Sequence, residues 1–246
     1  MATITPPACE EAGQRRSGGR PTRDEAARRD ERVMEVAASL FLDRGFDLAS
    51  MDALAELAGV SKATLYSRFG DKRQLFITVI RHEIGRWLAP LSAIVEEVIA
   101  GDATVEIEIA LIQVGRQLTQ RSLEPRVVAL GRVVSMQASV FPELAQLAHE
   151  EGWLRAVATV ARLLSQFMLR GQIAIPDVDI AADLLLNLVL GRATRQAAYG
   201  MKPDADAMEK RLQAAVRMFL YGTASRGAPW QARNLSSEVS SCHGDP

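Results

Sequence analysis

Residues 50–72 read SMDALAELAGVSKATLYSRFGDK. Ser50 offers a side-chain oxygen to the free amides of a helix start, and Met51, Leu54, Ala55 and Ala58 lie on one face of a short helix. Gly59 breaks that helix, since glycine takes positive φ with no Cβ penalty. Ser61 caps a second short helix over 62–69, with Leu65 and Phe69 facing inward. Gly70 breaks the chain again, and Asp71 caps the long helix beyond it. Two short helices joined at Ala58-Gly59-Val60-Ser61 make a helix-turn-helix pattern. Val60 fills the angle between them, and Leu54, Leu57, Leu65 and Phe69 are expected to pack on the preceding helix. Lys62, Ala63, Thr64, Tyr66, Ser67 and Arg68 are left pointing outward. Ala63 is small enough for close approach to base edges. Lys62 and Arg68 reach phosphates or guanine acceptors, and Thr64 can touch a thymine methyl.

The flanks extend the helical reading. Upstream, Val33, Val36, Ala37, Leu40 and Phe41 form one apolar stripe that ends at Gly45. Downstream, the long helix carries Leu75, Phe76, Val79, Ile80, Ile84, Trp87 and Leu88, and Pro90 is expected to kink or end it. After Gly101, helical spacing covers about 104–121, 125–139, 143–170, 177–198 and 204–221. No run alternates with period two, so the fold is expected to be all-α with about nine helices. The expected organisation is a basic arm over 1–23, a three-helix helix-turn-helix domain over 24–72, a helical bundle over 73–223 and a polar tail over 224–246.

Composition narrows the function classes. The 246 residues are 48% hydrophobic and 24% charged, which suits one large or two small globular domains. The best candidate membrane stretch, 184–190, is short and contains Asn187, and no apolar leader opens the sequence. Cys9 and Cys242 suit a reducing cytoplasm. The net charge of −1 does not point to nucleic acid. Between Ser61 and His82, however, Lys62, Arg68, Lys72, Arg73 and Arg81 face Asp71 as the single acid, a local +4. Lys72 and Arg73 open the long helix, where free amides favour a phosphate. On spacing alone, a DNA-binding face and an ordinary solvated basic face both remain open.

Residues 19–80 resemble the N-terminal DNA-binding domain of the TetR family of bacterial repressors. The resemblance rests on Gly19-Arg20-Pro21, the spacing of Ala37, Leu40 and Phe41, Gly45-Phe46, Ser50-Met51, Leu75-Phe76 and above all AGVSKATLYSRFGDK over 58–72. It implies that the second short helix reads the major groove through Lys62, Ala63, Thr64 and Arg68, with Ser61 as its cap. It implies phosphate contacts for Tyr66 and Lys72, and a place beside the backbone for Ser50. The arm from Arg15 to Arg23 resembles arms that touch DNA, and a solubilising tail is the other reading. Ser67 and Gly70-Asp71 depart from the residues common at those positions, so the base preference is not legible.

The C-terminal half resembles the AefR-like subgroup of TetR regulatory domains, through Phe141-Pro142-Glu143-Leu144, Gly152-Trp153-Leu154, Arg170-Gly171-Gln172-Ile173, Ala181-Ala182 and Gly191. This implies an effector pocket and a homodimer formed by the last two long helices. Polar or bulky residues in apolar helices supply the pocket candidates Arg116, Arg132, Met136, Gln137, Trp153 and Phe167; surface or core positions are the alternative for each. The dimer candidates are Leu185, Leu188, Val189, Arg192, Gln196, Leu212, Val216 and Phe219, with Arg195 also at the rim; the alternative is that both helices are core. The implied protein is a cytoplasmic repressor, nucleoid-associated when bound, that leaves a palindromic double-stranded operator when a small molecule binds. The long helix from Asp71 would carry the shift.

No catalytic residue, metal site or cofactor is expected. His82, His149 and His243 are far apart, and His149-Glu150-Glu151 lacks a second histidine one turn on. A helical interaction module or an all-α enzyme without a DNA role is the alternative reading.

Overall fold

The computed structural model describes residues 23–101 and 104–222, and every described element is helical. The expected arm (save Arg23), the tail, both cysteines and His243 lie outside the described residues. Helices α1 (Arg23–Leu48), α2 (Met51–Ala58), α3 (Lys62–Phe69), α4 (Lys72–Ala100), α5 (Ile107–Ser122) and α6 (Pro125–Gln137) come first. Next, α7 (Pro142–Leu147), a π-helical turn (Ala148–Leu154) and α8 (Arg155–Leu169) run on without a break, and α9 (Val178–Ala198) and α10 (Ala205–Tyr221) complete the order. Counting the continuous stretch once gives nine helical runs among the described residues, in line with the sequence. The chain divides into two compact units between Val79 and Ile80, inside α4 rather than at its start.

Of the stripe read from the sequence, Val33, Ala37, Leu40 and Phe41 of α1 are buried, Met34 and Ala38 join them, and Val36 is half-buried. Gly45, at φ 77° and ψ 174°, breaks α1 so that Phe46 can turn back. The Phe76 ring lies 4.9 Å from that of Phe41 and 5.0 Å from that of Phe46. This aromatic cluster is why the first turns of α4 belong to the first unit. Leu54, Leu65 and Leu75 are fully buried beside it. Leu57 corrects the expectation: it is 61% exposed, because α2 turns Met51, Leu54, Ala55 and Ala58 inward and Leu57 falls on the opposite face.

In the second unit, α9 packs on α5, α6, α8 and α10, and α10 also lies on α5. The approach of α10 to α5 needs a glycine: a Cβ on Gly115 would stand 2.6 Å from Leu212 Cδ1. Pro90 lies inside α4 and does not end it, which removes the second of the two outcomes expected there. Its fixed φ is helical, so only one backbone bond is forfeited. The subgroup signature at 170–172 has a structural job. Arg170 donates to the Ile99 carbonyl, and Gln172 accepts from Ile107 N at 2.8 Å while donating to the Val105 carbonyl, which fixes the start of α5. A half-buried ion pair joins α4 to α6: Arg126 Nε and Nη2 donate to the two oxygens of Glu83 at 2.5 and 2.9 Å.

Candidate nucleic-acid interface and effector cavity

The turn between α2 and α3 is built as its residues require. Gly59 sits in the left-handed region at φ 66°, ψ 36°, which closes α2. Ser50 Oγ accepts from Ala53 N and Ser61 Oγ from Thr64 N, each at 3.1 Å, so both short helices begin on a serine cap. Asp71 caps α4 by accepting from Gln74 N at 2.8 Å. One α3 side chain, Leu65, is fully buried. Lys62, Ala63, Tyr66, Ser67 and Arg68 are exposed, as expected of an outward face. Thr64 is half-buried, and its hydroxyl shares a 2.7 Å hydrogen bond with that of Ser61.

The cations of this face have partners that spacing does not reveal. Lys62 Nζ lies 2.5 Å from Asp52 on α2, and the hydrogen bond to that carboxylate raises the lysine pKa. Arg68 Nη2 lies 2.5 Å from Asp30 on α1, 38 positions away in sequence. Lys72 is half-buried; its ammonium stands 4.4 Å from the centre of the Phe46 ring and donates to the Asp47 carbonyl at 3.3 Å. The acids of α1 and α2 therefore hold the basic groups of α3 in the free protein.

The second unit contains a cavity of about 420 Å³. Its wall takes Trp87 from α4, Ser122 from the end of α5, Val127, Val128, Gly131, Arg132 and Ser135 from α6, and Trp153 from the π turn. From α9 it takes Asn187, Leu190, Gly191, Thr194, Arg195 and Ala198. The wider i→i+5 turn carries Trp153 into this wall, where its indole donates to Asp183 at 2.6 Å. Arg132 donates to the Ala197 and Ala198 carbonyls at 2.6 and 2.9 Å and so closes the end of α9. Two buried polar atoms in the wall residues, Trp87 Nε1 and Ser122 Oγ, have no partner among the described residues.

Of the pocket candidates, Arg132 and Trp153 line the cavity and the other four do not. Arg116 is drawn to the surface by Glu209, 2.6 Å away. Met136 is 73% exposed, and Phe167 is fully buried in the core beneath Arg170. Gln137 closes α6 outside the cavity, its carbonyl accepting from Val140 and Phe141. Trp87 and Arg195 join the wall unannounced by the sequence, where Trp87 reads as an ordinary inward residue and Arg195 as part of a dimer rim. The dimer candidates also need correction. Leu185, Val189, Leu212 and Val216 are buried within the protomer, because these faces of α9 and α10 pack on its own helices. Leu188 and Phe219 stay half-buried, and Arg192 and Gln196 line a small polar recess with Asp204 and Arg211.

Two family models match this chain. Residues 33–79 match that of the bacterial regulatory proteins of the tetR family, and residues 109–222 match that of the AefR-like transcriptional repressor C-terminal domain. The chain belongs to the TetR family. A TetR-family regulator structure from Mesorhizobium loti is similar to it, with a TM-score of 0.74 and 26% identity over 81% of this chain and 97% of that one. The flavonoid-responsive regulator FrrA is similar at a TM-score of 0.65 and 29% identity, covering 78% of this chain and 95% of FrrA. The transcriptional activator FasR of Mycolicibacterium smegmatis is 37% identical over 30% of this chain and 36% of its own length. The alignments with FasR and with the Escherichia coli regulator RutR span 36% and 42% of those curated relatives. Among the described residues of this TetR-family chain, no helix is long and apolar enough to cross a membrane.

Proposed function

We propose that this chain is a cytoplasmic DNA-binding transcriptional regulator, a repressor released from a palindromic operator when a small molecule enters the cavity. The observation that carries the reading is the α3 face: a helix anchored by Leu65, started by a serine cap beyond a left-handed glycine turn, with Lys62, Ala63, Tyr66 and Arg68 exposed. In this reading Ala63 and Thr64 approach base edges, Lys62 and Arg68 exchange Asp52 and Asp30 for DNA, and Ser50, Tyr66 and Lys72 flank the backbone.

A homodimer places two such helices about 34–36 Å apart, one turn of DNA. Exposed apolar residues supply its seam: Ile180 and Leu184 on α9 are 60% and 56% exposed and Met218 on α10 is 49% exposed, next to Leu188 and Phe219. Leu184→Glu is expected to give monomers by sedimentation. The effector acts by binding two states unequally; a 10- to 100-fold loss of DNA affinity corresponds to about 1.4–2.7 kcal/mol of coupling. Trp87 stands in the cavity wall on α4, the helix whose first turn carries Lys72, so α4 is the element to carry that coupling. The test is selection of bound duplexes from genomic fragments at about 0.15 M salt, where protein–DNA affinity is meaningful only with salt stated. Enrichment of a near-palindrome is expected. Failure to enrich any sequence with effector-free protein overturns the reading.

A further inference from the structure

We infer that the cavity takes the anion of a mostly apolar acid, with Arg195 as its counter-charge; this rests on the cavity being the effector site. At about 420 Å³ it is within the range of small-molecule pockets and holds a body of two fused rings. Its floor is apolar, with Trp87, Val127, Val128 and Leu190 among its residues, and a Cβ added at Gly131 or Gly191 would meet nothing within 4 Å. That selects an apolar body.

The charge of the wall selects the polar end. Arg132 and Arg195 line the cavity, and among the described residues no aspartate or glutamate does. Arg132 has donated to two backbone carbonyls, whereas Arg195 has no side-chain partner among the described residues. Arg195 is exposed, so it stands where the cavity meets solvent, and an incoming carboxylate can pair with it without first being buried alone. Asp183, the acid bonded to Trp153, is held by that indole and by Asn187. A lining with a free guanidinium and no carboxylate among the described residues fits an anion, leaves an amide without its ion pair and repels an ammonium.

The test uses the full chain and three probes of one shape: 2-naphthylacetate, 2-naphthylacetamide and 2-(2-naphthyl)ethylammonium. Calorimetric titration is run on the parent protein, on Arg195→Gln and on Gly191→Phe, which fills the cavity from a helical position with open space; Gly131→Phe replaces it if that variant does not fold. The acid is expected to bind at least tenfold tighter than the amide, the ammonium not at all, and Arg195→Gln to reduce the acid's advantage to threefold or less. Equal binding of acid and amide, abolished by Gly191→Phe, overturns the inference and leaves the cavity as the effector site. Binding indifferent to Gly191→Phe, or no binding of any probe, overturns both. An acid preference that survives Arg195→Gln removes Arg195 as the counter-charge and overturns the inference as stated.

Discussion

Asp30→Asn is expected to make this protein bind DNA more tightly. In the free chain the Arg68 guanidinium lies 2.5 Å from the Asp30 carboxylate, with the two side chains 63% and 30% exposed. If Arg68 contacts DNA, it must leave that carboxylate or carry it towards phosphates. A pair this exposed contributes about 0.5–1 kcal/mol, which is released as a gain when no pair has to be broken, about two- to fivefold in affinity. Removing one negative charge within the roughly 8 Å screening length at physiological salt acts in the same direction. Fluorescence anisotropy with a labelled random-sequence duplex measures this without knowledge of the operator. Asp30→Asn should bind about two- to fivefold tighter, and the gain should shrink as salt rises. In an Arg68→Ala background the same substitution should gain less, because there is no pair to release. Weaker binding by Asp30→Asn would refute the reasoning, since Asp30 would then be orienting Arg68 for DNA. An equal gain in both backgrounds would show that the ion pair plays no part.

The second unit supplies three further outcomes. Gly115→Ala should lose about 1–2 kcal/mol in urea unfolding, because its Cβ would stand 2.6 Å from the buried Leu212, whereas Gly191→Ala should gain up to about 1 kcal/mol; equal effects would contradict the packing. Arg126→Met should cost about 3 kcal/mol and Glu83→Gln about half of that, since Glu83 is 5% and Arg126 32% exposed, and the double replacement should cost less than the sum. A strictly additive cycle would remove the coupling. The Glu209 carboxyl is lowered from 4.5 to about 2, chiefly by its hydrogen bond from Arg116 and then by Gln213. A carboxyl more acidic in the folded state supports stability above its unfolded pKa, and that support disappears as pH falls from about 4.5 to about 2. Glu209→Gln should flatten this limb of a stability–pH profile, and an unchanged limb would mean that the pair contributes nothing.

Helix boundaries were legible where the chemistry that sets them is local. Ser50, Ser61 and Asp71 cap the helices as their spacing announces, and Asp177 and Asp204 cap the two whose ranges begin at them. Faces were legible where polarity is uneven, as in α1 and α2, Leu57 excepted. They failed in α9, whose apolar residues surround the helix, so nothing in the sequence distinguishes Leu184 on the surface from Leu185 in the core. Partners distant in sequence were also hidden: no spacing announces the docking of Asp30 against Arg68, 38 positions away. The cavity was half legible for the same reason. Arg132 and Trp153 stood out as polar or bulky residues in apolar helices, whereas Trp87 and Arg195 become wall residues only through the packing of α4, α6 and α9.

The π turn at Ala148–Leu154 amounts to a stored insertion. One residue taken out of it would return the run from α7 to α8 to regular helical spacing with the segments on either side keeping their facing, because the wide turn absorbs the extra residue locally. Trp153, whose indole is tied to Asp183, would be displaced from the cavity wall while the buried face of α8 kept its own residues. The lining of this cavity can therefore change by the loss or gain of one residue at a single turn, with the core left to fold as before.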